Sequence, residues 1–215
     1  MIDDLFGYSD VPAREPLADG ALLLRGYAGD AAEELLQAID AITTAAPFRH
    51  MITPGGYRMS VAMTNCGSVG WVSDRRGYRY QPTDPDTGRP WPAMPAAFAE
   101  LAARAAAEAG FAGFVPDACL INRYAPGSRL SLHQDRDEPD LRAPVVSVSL
   151  GLPAVFLFGG RRRGDRPRRH RLAHGDVVVW GGPARLAFHG IAPLAEGAHP
   201  ATGACRINLT FRKAL

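Results

Sequence analysis

Arg206-Ile207-Asn208-Leu209-Thr210-Phe211-Arg212 alternates polar and apolar residues over seven positions. Successive side chains of a strand point to opposite faces. One face of this segment therefore carries Ile207, Leu209 and Phe211, and the other carries Arg206, Asn208, Thr210 and Arg212. The same period of two runs upstream. Residues 120–124, 130–133, 145–150, 154–158, 176–180 and 186–189 all read as strands between Gly and Pro turns. Seven short strands in succession predict a sandwich or open barrel with a double-sheet core.

Toward the N-terminus the rhythm changes. The apolar run 21–24 suits a buried strand. Asp30 stands three residues before Glu33, a capping-box pattern, and Leu35, Leu36, Ile39 and Ile42 follow at helical spacing. A helix is predicted over 31–45, ended by Pro47. Residues 95–109 are Ala-rich, with Pro95 suited to a first turn and Gly110 to a stop, which predicts a second helix. The expected class is α+β, in one domain spanning 1–215. Residues 1–16, with Pro12 and Pro16, read as a loose arm. Residues 48–92 hold many Gly, Pro, Tyr and Trp. Thr53-Pro54-Gly55-Gly56-Tyr57 is a turn signal, and 57–64 alternates as a hairpin does. That segment is either a small aromatic lid or an irregular insertion.

Composition narrows the function classes. With 47% hydrophobic and 21% charged residues, the chain is neither disordered, collagenous nor a coiled coil. The net charge of +2 hides an uneven distribution. Of 24 basic residues 23 are Arg, and seven of those lie in 161–171, so one local basic patch is expected rather than a cationic surface. Cys66, Cys119 and Cys205 are odd in number and lack C-x-x-C spacing. They argue against a disulfide framework or a cysteine zinc site, and suit a reducing compartment, the cytoplasm. The acidic start Met1-Ile2-Asp3-Asp4-Leu5 does not read as a secretory signal, and no apolar run is long enough for a membrane span.

Leu130-Ser131-Leu132-His133-Gln134-Asp135 places His133 and Asp135 on one face of a strand, where an imidazole and a carboxylate can share a divalent metal. H-x-D is common by chance, so a third ligand is needed. Of the other histidines, His170 lies in the Arg cluster and is expected in solvent. His174 precedes the turn Gly175-Asp176, and His50 and His199 lie in loops. His189 ends the apolar run Leu186-Ala187-Phe188 and is the one expected on a core strand. Two His and one carboxylate leave adjacent positions open, the facial triad of non-haem Fe(II) oxygenases. An inward strand face with two Arg and an Asn is costly without an anion. Arg206 and Arg212 stand about 20 Å apart along a strand, but their long side chains could lean together and grip a short dianion. An edge strand with its Arg face in water is the plain alternative.

Together these residues resemble the Fe(II)/2-oxoglutarate dioxygenases of the AlkB type. The resemblance runs from about residue 15 to the end. It rests on His133-x-Asp135, His189 and Arg206-x5-Arg212, on Pro116 through Gly127 with Asn122-Arg123-Tyr124, and on Asp135-Arg136-Asp137-Glu138-Pro139-Asp140. His174-Gly175-Asp176 through Gly181-Gly182 and Met51 through Tyr57 also match. It implies a double-stranded β-helix, or jelly roll, over about 115–215, N-terminal supporting helices, and a nucleotide-recognition lid over about 48–92. It implies Fe(II) on His133, Asp135 and His189, 2-oxoglutarate on Asn122, Tyr124, Arg206, Asn208 and Arg212, and O2 as oxidant. The implied substrate is an N-alkylated base such as 1-methyladenine or 3-methylcytosine in DNA, single-stranded or with the base flipped out, with RNA left open. Trp71 would stack on that base. Met63 and Tyr78 would line the pocket, Asp137 and Glu138 would favour a cationic base, and Arg163 would lie near the substrate. A monomer is expected.

Two other classes compete. An Fe(II)/2-oxoglutarate oxygenase of a small molecule or protein would keep the triad and both Arg but leave Trp71, Asp137 and the Arg cluster idle. A non-catalytic jelly-roll binder of nucleic acid would use the cluster and leave the inward Arg pair unexplained.

Overall fold

A computed structural model describes residues 13–215. Among them the chain forms β1 (Arg14–Ala18), β2 (Ala21–Leu24), α1 (Ala32–Ala45), β3 (Ala62–Gly67), β4 (Gly70–Asp74), β5 (Gly77–Gln81) and α2 (Ala96–Glu108). These are followed by β6 (Ala118–Tyr124), β7 (Leu130–His133), β8 (Val145–Gly151), β9 (Ala154–Phe158), β10 (Arg168–Leu172), β11 (Val177–Trp180), β12 (His189–Ile191) and β13 (Arg206–Arg212).

The strands assemble into two main antiparallel sheets. The larger runs β1-β2-β11-β8-β13-β6-β3 and the smaller runs β10-β9-β12-β7. From β6 onward consecutive strands mostly change sheet, so hairpin partners in sequence are not the main pairs in space. The central strand β13 pairs with β8 on one side and β6 on the other, Asn208 lying opposite both Ser149 and Asn122.

Alternation then sorts the side chains. Ile207, Leu209 and Phe211 of β13 join Cys119, Ile121, Val146, Val148, Val177 and Val179 on the outer face of the large sheet, which α1 and α2 cover. The helices supply Leu35, Ile39, Ile42, Phe98 and Leu101 at helical spacing, and Phe98 meets Phe211 edge-on at 5.8 Å. Burying each such side chain stabilises the fold by roughly 1.5–3 kcal/mol. The inner face packs on the small sheet through Leu120, Tyr124, Val178 and Trp180 against Phe156, Phe158 and Ile191. Trp180 reaches Phe156 and Phe158 at 6.1 and 6.4 Å.

Several expectations are corrected. The loose arm does not extend to residue 16, because Arg14–Ala18 pairs with β2; residues 1–12 of that expectation lie outside the described residues. Helix α1 starts at Ala32 after Ala31, and no side chain caps it, so the Asp30–Glu33 box does not form. The strand expected over 186–189 begins at His189, because the preceding residues turn out of a short 3-10 helix, Gly182–Ala184. Segment 48–92 is more regular than its sequence suggests: β3 joins the large sheet and β4–β5 form a separate hairpin. Three of the seven Arg of the basic cluster, Arg168, Arg169 and Arg171, lie on strand β10, paired with β9 so that Arg168 lies opposite Phe158. His170 is not in solvent but half-buried, with Nδ1 3.2 Å from Glu15.

Candidate active site

β7 and β12 are neighbours in the small sheet, and His133 lies directly opposite His189. Their rings are 4.3 Å apart. So close a pairing needs Gly190, since a Cβ there would lie 2.6 Å from the Leu130 carbonyl oxygen. Asp135 follows just beyond β7. Its Oδ1 stands 3.6 Å from His133 Nε2 and 3.8 Å from His189 Nε2. The three groups form the one cluster of metal-ligating side chains among the described residues, with donor atoms all within 4.8 Å of one another.

Each imidazole is oriented through its other nitrogen. His133 Nδ1 is 2.9 Å from the Ser131 carbonyl and His189 Nδ1 is 3.0 Å from that of Ala187. An N–H donated there leaves the Nε2 lone pair facing the cluster. Burial, and next the nearby His133, push the His189 imidazole down to about 4, with Asp135 pulling the other way. His189 is therefore neutral at physiological pH, as a ligand must be. Burial alone would raise the Asp135 carboxyl. Arg212 and the two imidazoles outweigh it and hold the carboxyl well below the usual carboxylate range.

Beside this cluster β13 and β6 form a polar cradle. Arg206 is 1% exposed, lies over the Tyr124 ring at 4.9 Å and donates Nη2 to Ser149 Oγ at 2.9 Å. Its Nε and Nη1 are buried with no partner. Burial pushes this guanidinium down from its ordinary value, Tyr124 only partly resisting. An unpaired buried cation with two free donors fits an anionic ligand. Asn122 and Asn208 face each other at 3.5 Å, and the Asn122 Oδ1 is also unpartnered. Asn208 is further held by Ser147 and Thr210. Arg212 differs from Arg206: it gives Nε and Nη2 to Asp135 Oδ2 and lies 3.4 Å from Glu138. The expected pair of equivalent Arg clamps is thus one unpaired guanidinium and one already held by two carboxylates.

The expected recognition residues come from β3, the β4–β5 hairpin and the segment after β7. Trp71 and Tyr78 stack at 5.4 Å with their planes 14° apart. The Trp71 indole donates to Asp137 Oδ2 at 2.9 Å. Met63 is 2% exposed, in the core cluster against which Trp71 packs. Arg163 is exposed at the β9–β10 tip, 5.7 Å over the Phe188 ring. Glu138, expected beside the substrate, is buried, and its carboxylate accepts from Tyr80 at 2.5 Å and Arg185 at 2.9 Å.

Three structural contributors escaped the sequence reading. Asn65 is buried and ties both backbone groups of Trp71 through its amide, at 3.0 Å each. Arg185 is 3% exposed and binds Glu138 and the carbonyls of Asp135 and Ala143. Tyr80 stands out in the sequence only as one aromatic among several. Nothing in local pattern marks Arg185, whose partners lie 42–50 residues away, and Asn65 meets Trp71 only through the turn between β3 and β4.

The arrangement of an open His-Asp-His cluster beside an unpaired buried guanidinium, set between two antiparallel sheets, matches a known family: residues 20–212 fit the 2OG-Fe(II) oxygenase superfamily, and the chain belongs to it. It is an Fe(II)/2-oxoglutarate-dependent dioxygenase. Over 211 residues it is 62% identical to the alpha-ketoglutarate-dependent dioxygenase AlkB of Escherichia coli, covering 98% of this chain and 97% of that one. It is 33% identical over 174 residues, 69% of this chain and 38% of the other, to the DNA N(6)-methyladenine demethylase ALKBH1C of Arabidopsis thaliana. The solved structure of OsALKBH1 superposes with a TM-score of 0.82 at 29% identity, covering 93% of this chain and 99% of that one. No helix among the described residues is long and apolar enough to cross a membrane.

Proposed function

We propose that this protein removes alkyl groups oxidatively from N-alkylated bases, such as 1-methyladenine and 3-methylcytosine, in DNA, as direct-reversal repair, with RNA left open as a second substrate. The carrying observation is the stacked Trp71–Tyr78 pair, hydrogen-bonded to Asp137 two residues after Asp135. A flat aromatic surface and a carboxylate beside a metal cluster suit a cationic, flipped-out base. Stacking is worth roughly 1–3 kcal/mol per base. A small-molecule oxygenase would give this pair no role.

In this reading His133, Asp135 and His189 hold Fe(II), while Arg206, Asn122, Tyr124 and Asn208 hold 2-oxoglutarate. Arg212 closes that pocket as the guanidinium holding Asp135. When bound, the iron and 2-oxoglutarate use O2 to hydroxylate the N-alkyl carbon, giving succinate and CO2, and the hydroxylated carbon leaves as formaldehyde. The chain's own part is orientation and charge. Neutral His189 keeps its lone pair for the metal. Tyr124, whose phenol burial pushes up, stays protonated and can donate beside Arg206. Asp137 favours a methylated, positively charged base over its neutral parent. Met63 backs the platform, and Arg163 with its neighbours grips phosphates.

The fold reading that goes with this is a jelly roll whose 48–92 segment, in particular β4–β5, serves as the nucleotide-recognition lid. A monomer acting in the cytoplasm completes it, in keeping with three free cysteines. The test is mass spectrometry of a single-stranded oligonucleotide carrying one 1-methyladenine, incubated with Fe(II), 2-oxoglutarate and ascorbate in air. Loss of the methyl group with wild type but not with His133→Ala supports the reading. Succinate without demethylation sinks the substrate assignment.

A further inference from the structure

Trp71 of β4 and Tyr80 of β5 are direct cross-strand partners, so their side chains share one face of the hairpin. They bind consecutive carboxylates. Trp71 donates to the exposed Asp137, whereas Tyr80 donates its hydroxyl to the buried Glu138, at 2.5 Å. From Glu138 the contacts continue inward. Its Oε2 accepts from Arg185 Nη2, which belongs to a guanidinium that also donates to the Asp135 carbonyl at 2.5 Å. Its Oε1 lies 3.4 Å from Arg212 Nε, the atom that donates to Asp135 Oδ2 at 2.9 Å. Two carboxylates thus compete for one guanidinium edge. The closer one is Asp135, whose other oxygen faces His133 and His189.

From this geometry we infer that Tyr80, Glu138 and Arg185 are positioning residues that couple the seating of the β4–β5 hairpin to the orientation of the Asp135 carboxylate. The Tyr80 hydroxyl, with Arg185, satisfies Glu138 and leaves Arg212 to Asp135. If the hairpin lifts, Glu138 loses a donor and draws Arg212 toward itself. The Oδ2 atom of Asp135 is then less firmly held and its Oδ1 turns from the cluster. The part-buried Tyr80–Glu138 contact is the fixed anchor of the hairpin, on β5. The solvent-exposed Trp71–Asp137 contact, on the neighbouring strand β4, is the one a base can displace. The part concerning a base rests on the proposed function, but the part concerning Asp135 does not.

The test uses Tyr80→Phe, which removes one hydroxyl, in the full chain with Co(II) as probe. Ligand-orienting partners typically change metal affinity 10–100-fold. Tyr80 acts one contact further out, so Co(II) binding should weaken about 10-fold, with a changed d–d absorption band. The double variant Tyr80→Phe/Glu138→Gln removes the competing charge and should recover the wild-type band and affinity, a rescue that general loosening of the fold would not give. With a 1-methyladenine oligonucleotide, Tyr80→Phe should also form more succinate per methyl removed than wild type. Wild-type Co(II) affinity and spectrum in Tyr80→Phe would overturn the inference, whether or not the double variant folds. If the Co(II) results hold while wild type leaves the oligonucleotide untouched, the substrate reading falls and the positioning role stands.

Discussion

Asp135 Oδ2 receives both Nε and Nη2 of Arg212, at 2.9 and 2.8 Å, across 77 residues of chain. Both side chains are buried. One oxygen of the carboxylate is thereby fixed and the other is left for the two imidazoles. A buried pair of this kind contributes little net stability when intact, but losing one partner strands the other charge.

Asp135→Ala and His133→Ala should accordingly separate metal binding from stability. Both should abolish Co(II) binding. Asp135→Ala should also lower the stability of the metal-free protein by about 3 kcal/mol, because Arg212 keeps only Glu138. His133, whose side chain is 34% exposed, should cost less than about 1 kcal/mol. Urea denaturation in chelator checks both values.

Arg206 should behave in the opposite way. As a buried guanidinium lacking partners for Nε and Nη1, it is an unfavourable charge in the protein without co-substrate. Arg206→Met should leave the melting temperature of that form unchanged or raised, while weakening 2-oxoglutarate binding by about 100-fold or more through the lost charge-assisted bonds. Calorimetric titration of 2-oxoglutarate into Mn(II)-loaded protein, beside thermal melts, measures the two effects.

Acid should destabilise the metal-free protein in two windows. His189 titrates at about 4 in the fold and near its ordinary 6.5 when unfolded. The unfolded chain therefore takes up the extra proton as pH falls from 6.5 to 4, and stability declines by up to about 3 kcal/mol. Asp135 is held low in the fold, so its contribution persists above the ordinary carboxylate range and is lost below it. His189→Gln should remove the first decline and keep the second, read from denaturation midpoints between about pH 7 and 2.

The basic strand should act through salt-sensitive binding. Arg168, Arg169 and Arg171 are exposed and pair with no acid among the described residues. Changing all three to Gln should reduce the slope of log affinity against log salt for a single-stranded oligonucleotide by about 2. The KM for 2-oxoglutarate should not move. An unaltered slope would return these residues to an ordinary role, charged protection of a sheet edge.

What the sequence determined by itself was local or periodic. The alternation of 206–212 set which side chains of β13 face inward, and helical spacing around Leu35 and Ile39 set the face of α1. His133-x-Asp135 was legible as a ligand pair from its spacing, although only His133 lies on β7, and Asp135, just beyond the strand, is held by Arg212. Tertiary structure decided what depended on partners far along the chain. It placed His189 opposite His133 through a pairing that no local pattern encodes. It separated Arg206 from Arg212, which look equivalent on one strand face, by giving Asp135 and Glu138 to Arg212 alone. It also turned Glu138 inward and its neighbour Asp137 outward, because one meets Arg185 and Tyr80 in the interior and the other meets the Trp71 indole at the surface. Backbone geometry makes a strand face readable from its residues. Charge pairing depends on which distant groups are brought within about 3 Å, and only the folded chain settles that.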